Sequence, residues 1–213
     1  MMYSNLKITL RRFSLISFML LFAGWILGSL HKYQWVLFSL LVVIAYLRIQ
    51  RKYRNNKRDA ICTLTGFILT TVLGTSCELW GTYNHYWTYH DIPSYQLIPV
   101  WIPIAWGFTY FAFHLFEKCL CQFIKNDKLS LLTIASVSLI LPTVGEYIPI
   151  YMEVWTYHWP YQFIGVPLLA SLGIWAVHIL VFIIMCKLNK KYLFNNQIYN
   201  VWDSLFKQKL NAS

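Results

Sequence analysis

Thr75-x-x-Glu78-x4-Tyr83-x3-Trp87-Thr88-Tyr89-His90-x8-Pro99 returns 68 residues later as Thr143, Glu146, Tyr151, Trp155, Thr156, Tyr157, His158 and Pro167. Eight identities in a 25-residue window compare with roughly one or two expected by chance, so the sequence carries an internal duplication. Each copy opens at the end of an apolar run and sets one carboxyl group there. It then passes through an aromatic connection and re-enters an apolar run at a proline. Two copies of helix, loop and helix predict an all-α fold built around this repeat.

Only 12% of the 213 residues are charged, about half the share in a soluble domain, while 58% are hydrophobic and 18% aromatic. Such a chain belongs in a bilayer. No Gly/Ser/Pro-rich linker or low-complexity tract divides it, so residues 1–213 are read as a single integral membrane domain. The net charge of +10 does not indicate nucleic acid, because the basic residues flank apolar runs and do not alternate with exposed aromatics. Cys62, Cys77, Cys119, Cys121 and Cys186 lack zinc spacing and are expected to be ordinary buried thiols, not a disulfide framework.

After Lys7, Arg11 and Arg12, an apolar run over 13–30 is expected to persist as a first helix, since no small-residue cleavage site precedes His31. A turn at 31–34 and a shorter run over 35–47 complete an N-terminal hairpin, 13–49. Residues 48–59 hold six Arg/Lys and are expected to form a loop. Further spans are expected at 60–80, 97–117, 129–148 and 163–186, each near the ~20 residues that cross a bilayer. Residues 60–117 and 129–186 are then the two copies. The tail, 187–213, is basic, and Phe194, Ile198, Trp202, Leu205 and Phe206 predict an amphipathic helix on the membrane surface.

Six spans put 17 of the 18 Lys/Arg on the side of both termini and leave Lys32 alone opposite. This predicts a multi-pass protein with cytoplasmic N- and C-termini, in the cell membrane if the source is bacterial. Glu78, Asp91, Glu146 and Glu153 fall in the outer half, whereas Asp59, Glu117, Asp127 and Asp203 are expected as solvated charge among cytoplasmic Lys/Arg. Helices three-four and five-six both start inside, so the copies run parallel and are expected to be related by a pseudo-two-fold axis along the membrane normal.

Glu78 and Glu146 each stand within about a turn of the outer end of a membrane helix, with Thr75 and Thr143 three residues earlier on the same face. A carboxyl group withdrawn from water there is suited to hold a proton and deliver it as a general acid. A purely structural role, fixing the following loop, would give the same repeat. Trp87, Tyr89, Trp155 and Tyr157, with Tyr83, Tyr151, Trp101, Trp106, Trp159 and Tyr161, are expected to line an outer pocket with π-faces that suit a conjugated or isoprenoid chain and stabilise a carbocation. A membrane-interface belt is the simpler role for a single Trp or Tyr. His90 and His158 are equivalent and either shuttle protons or anchor their loops. His85 in the first copy corresponds to Glu153 in the second, a divergence that an acid in one half and a base in the other would produce and that drift would produce equally well. With Asp91, these are the candidate proton handlers. His114 and His178 stand 64 apart, out of register with the repeat, and are expected as core histidines and not as haem ligands.

Glu78 to Trp106, with Gly81, Trp87-x-Tyr89, Pro99, Pro103 and Trp106, resembles the membrane carotenoid-biosynthesis family that includes the bacterioruberin-pathway and γ-carotene hydratases. Trp155-Thr156-Tyr157, Tyr161 to Pro167 and Gly173-Ile174-Trp175 resemble a second stretch of that family. The layout is also similar to the small membrane lycopene cyclases, although their Pro-x-Glu-Glu pair is absent: Val100-Trp101 and Ile104-Ala105 follow the prolines. Ala170-Ser171 departs from the Asn-containing pair of the hydratases. Both resemblances imply protonation of an isoprenoid double bond followed by hydration or ring closure, with a lipid substrate and neither cofactor nor metal. The competing expectation is a non-catalytic transporter or a lipid- or partner-binding assembly protein. Nothing in the sequence indicates the oligomeric state.

Overall fold

The computed structural model describes residues 2–124, 126–192, 194, 196 and 198–200. Most of them form six long helices: α1 (Met2–Leu30), α2 (Gln34–Asn55), α3 (Lys57–Tyr83), α4 (Ile102–Phe123), α5 (Asp127–Tyr151) and α6 (Leu168–Tyr192). Four short strands sit between them, β1 (Trp87–Tyr89), β2 (Trp155–Tyr157), β3 (Gln162–Phe163) and β4 (Val166–Pro167). β1 pairs with β2 and β3 with β4, both antiparallel. Among the described residues, α1, α2, α3, α5 and α6 are long and apolar enough to cross a membrane. α4, which carries Trp106, Tyr110, His114, Glu117 and Lys118, is not among them.

The basic stretch 48–59 is not a loop. α2 continues through it to Asn55, and the connection to α3 shrinks to Asn56, whose side chain accepts from Arg58 N (3.1 Å) and Asp59 N (3.2 Å) as an N-cap. Its charges are accommodated along the helices: Lys52 pairs with Asp59 at 3.0 Å. The fourth helix starts at Ile102 and not near 97, because Pro99 and Pro103 define its first turn. The sixth begins at Leu168, since 162–167 are spent on the β3–β4 ribbon.

α3 packs most extensively on α4, and also contacts α2 and α6; α1 lies against α4 and α5. α3 and α4 run antiparallel, with Gly66 against Tyr110 near one end and Gly74 against Trp106 near the other. Two buried clusters result. One contains Trp87, Tyr89, Trp101, Trp106, Val154, Trp155 and Ile174 beneath the β1–β2 ribbon, and the other contains Phe67, Tyr110, Phe111, Phe182 and Met185.

Two expectations about residues next to basic stretches are corrected. Ile198 and Tyr199 are buried in the second cluster, where Tyr199 Oη meets Tyr110 Oη at 2.9 Å, so this part of the tail does not lie on the membrane surface. Trp202, Leu205, Phe206 and Asp203 lie outside the described residues. Glu117 is not solvated: it is 3% exposed, and its Oε1 stands 3.0 Å from Nε2 of His178, also buried, off the hydrogen-bond axis. Burial of α4 between α1 and α3 removes water from this position, and only a partner across the bundle compensates. Replacing either Glu117 or His178 by Leu is expected to cost about 3–5 kcal/mol, and replacing both to recover most of that loss. Unfolding in detergent of the two single variants and the double variant measures it, and additive losses would contradict the pairing.

Candidate functional site

Both copies end their first helix in the same way. His85 N donates to Thr82 O and Tyr86 N to Gly81 O; 68 residues on, Glu153 N donates to Ile150 O and Val154 N to Pro149 O. Each is a Schellman-type stop, with the left-handed position taken by His85 (φ 57°) and Glu153 (φ 56°). The divergent titratable pair therefore occupies two exposed helix-stop positions, outside the cavity described below.

These stops aim the two Trp-Thr-Tyr strands at each other. Trp87 pairs with Tyr157, Thr88 with Thr156 and Tyr89 with Trp155. Side chains alternate along a strand, so each Trp and Tyr turns inward and each Thr outward. The cross-strand rings meet edge-on, Trp87 with Tyr157 at 5.6 Å and Tyr89 with Trp155 at 5.5 Å. Outside, the clasp is reciprocal: His90 Nε2 is 2.8 Å from Thr156 Oγ1, and His158 Nε2 is 3.0 Å from Thr88 Oγ1. Both histidines hold the ribbon from its outer side, as loop anchors do. Asp91 also lies outside, paired with His31 at 3.1 Å and Lys32 at 3.4 Å. The His31 contact first, and Lys32 after it, hold its carboxyl below the usual range.

The inward residues converge on the glutamates. Glu78 and Glu146 sit five residues before the ends of α3 and α5, about 7.5 Å along each axis. Glu78 Oε2 accepts from Tyr89 Oη (2.7 Å) and Trp87 Nε1 (2.9 Å), and its Oε1 accepts from Trp106 Nε1 (3.1 Å). Glu146 Oε2 accepts from Tyr157 Oη at 2.9 Å. Trp155, the counterpart of Trp87, lies near Glu146, but its Nε1 stops short of hydrogen-bond geometry. Burial first, and then the neighbouring carboxyl, hold the Tyr89 and Tyr157 phenols well above their ordinary range, so both remain neutral donors.

The copies differ because three positions differ. Trp87 and Trp106 reach Glu78 across Gly81 and Gly74, where a Cβ would collide with their indoles. At the offset of 68, those glycines become Pro149 and Pro142, and Trp106 becomes Ile174. Glu78 therefore accepts three hydrogen bonds, while Glu146 accepts one within hydrogen-bond geometry, has the Trp155 N–H nearby, and shares its wall with the apolar Ile174.

Both carboxyl groups line one cavity of about 230 Å³. Its wall takes Cys77 and Trp80 from α3, Trp106 from α4, Trp87 and Tyr157 from the ribbon, and Leu169, Ala170, Leu172, Gly173 and Ile174 from α6. Tyr83 and Tyr151 do not belong to it: they are 73% and 77% exposed, and Tyr151 stacks on Tyr147 of its own helix. Trp101 is in the core beneath the ribbon, 1% exposed, and is not part of the cavity wall. Tyr89 and Trp155 stand behind the lining and support it. The α6 residues and the donor role of Trp106 were missed in the sequence; the substitution of Ile174 for Trp106 across the repeat was the signal for both.

Comparison of the chain with protein-family models, with curated proteins and with solved structures returns no match.

Trp106→Phe keeps a ring in the Gly74 slot but removes the N–H, and is expected to cost about 1–3 kcal/mol by leaving Glu78 Oε1 unpaired, read from thermal unfolding in detergent. Glu153→Gly relieves a left-handed backbone at an exposed site, so stability is expected to rise by about 1 kcal/mol or stay level in the same assay. A marked loss of stability would contradict the helix-stop role.

Proposed function

We propose that this chain is a membrane enzyme that protonates a carbon–carbon double bond of an isoprenoid or carotenoid-like lipid, the cation then being quenched by water or by ring closure. The supporting observation is the pair of carboxyl groups with unequal donor sets in one aromatic cavity. A carboxylate with three donors suits a fixed negative charge opposite a developing cation. A carboxyl group with one donor leaves an oxygen to carry a proton, so Glu146 is the acid and Glu78 its charged partner. The faces of Trp87, Trp106 and Tyr157 stabilise the cation between them.

The proton balance closes on Glu146. Its O–H protonates one alkene carbon. In hydration, water adds its oxygen to the other carbon and returns a proton to the Glu146 carboxylate. In cyclisation, a second double bond attacks the cation, and the proton is lost from an adjacent carbon to the same carboxylate. His90, His158, Asp91 and Glu153 hold the site's shape from outside and take no part in this transfer.

In this reading α4 is the sixth span, because it lies antiparallel along α3 from Gly66 to Gly74. The α3–α4 and α5–α6 pairs are the parallel copies, and the basic ends of the helices with both termini face the cytoplasm. A transporter is the second reading, favoured by the buried Glu117–His178 pair deeper in the bundle. Against it, the cavity wall includes neither residue of that pair.

Expression with candidate isoprenoids and mass analysis of the extracted lipids distinguishes the outcomes: gain of one water for hydration, unchanged mass with altered retention for cyclisation. Glu146→Gln is expected to lower conversion about 10²–10⁴-fold, the usual contribution of a positioned acid. Conversion by Glu146→Gln at the wild-type rate would remove the assignment, and substrate-dependent flux in vesicles without conversion would favour transport.

A further inference from the structure

The cavity is small for the lipid proposed. A cavity near 150 Å³ admits benzene, and whole ligands occupy about 300–1,000 Å³, so a 230 Å³ space holds an end group of roughly ten carbons, about two isoprene units. The rest of a long chain must lie elsewhere, and the wall shows where. Trp80 on α3 and Leu172 on α6 belong to the lining, yet they are 49% and 43% exposed. Both stand on helices apolar enough to span a bilayer, flanked on their outward faces by exposed Val72, Leu79, Leu168 and Leu180. The surface outside the rim is therefore mostly apolar; the exposed Ser76 between Val72 and Trp80 bonds its hydroxyl back to Val72 O at 2.9 Å. Toward the outer water the cavity is roofed by Trp87 and Tyr157 of the clasped ribbon.

Resting on the reading of this cavity as the reaction site, we propose that the lipid reaches it sideways from the bilayer, between α3 and α6, past Trp80 and Leu172. Only the terminal isoprene units occupy the cavity, and the remaining chain stays in the membrane. Ala170 and Gly173 set how deep the end group goes. A Cβ at Gly173 would meet Cys77 Sγ at 3.6 Å, ordinary contact, so the position accepts alanine, while a longer side chain would extend into the space. Gly173 is thus the specificity-determining position on α6. At the offset of 68 the first copy has Ala105 in its place, so this glycine is particular to the second copy.

The full chain in lipid nanodiscs, loaded with two C30 isoprenoid hydrocarbons bearing a diazirine at the chain end or at mid-chain, tests this by photocapture and peptide mass spectrometry. The end probe is expected on Cys77 and the 169–174 stretch, the mid-chain probe on the rim at Trp80 and Leu172. Gly173→Leu is expected to lower end-probe capture at Cys77 by ~tenfold or more while Gly173→Ala leaves it within a factor of about two, consistent with filling versus ordinary contact. End-probe capture on the outer loops 91–98 or 159–164, or undiminished capture in Gly173→Leu, would overturn the sideways route. Capture as expected in a chain whose Glu146→Gln variant converts lipid normally would leave the route standing and remove only the acid chemistry.

Discussion

Keeping a carboxyl group inside an apolar bundle requires donors, and the arrangement around Glu78 follows from that requirement. Withdrawn from water, an uncompensated carboxylate costs several kcal/mol, a sum comparable with the whole stability of a domain. Tyr89, Trp87 and Trp106 meet it, and each imposes a condition on the chain. Tyr89 and Trp87 must face the same way, which requires an extended strand. Trp87 and Trp106 must pass close to α3, which requires Gly81 and Gly74. The strand in turn requires a partner, and the second copy provides β2.

Duplication supplies this geometry economically and then departs from it. The backbone hydrogen bonds of the two helix stops, the edge-on ring pairs and the His–Thr clasps all occur twice at one offset, because all depend on local sequence that both copies share. The third donor depends on α4, and α6 has Ile174 in its place. With prolines where the first copy has its two glycine slots, the second carboxyl group accepts one hydrogen bond, from Tyr157, with the Trp155 N–H nearby but outside hydrogen-bond geometry. Both carboxyl groups line the same cavity, with unequal sets of hydrogen bonds.

The buried Glu117–His178 pair shows the same rule at work away from the cavity. A charge count along the chain places Glu117 among lysines at the end of a span, but α4 starts five residues later than its apolar run. That shift, caused by prolines in its first turn, draws Glu117 one turn and a half into the bundle, where only a residue on another helix can satisfy it.

Membrane character and the duplication were legible in the sequence, because hydropathy and repeat spacing are properties of the chain alone. Recurrence singled out Glu78 and Glu146 there, and the fold brings both to the wall of one cavity. What tertiary structure decided was direction. Alternation along a three-residue strand turned Trp87 and Tyr89 inward and left His90 outside, and an αL stop turned Glu153 away from the cavity. Tyr83 and Tyr151 repeat as faithfully as the glutamates, yet they face outward. Recurrence identifies which residues are equivalent; which of them meet is set by backbone dihedrals and by the room a neighbouring helix leaves, and neither is written in spacing.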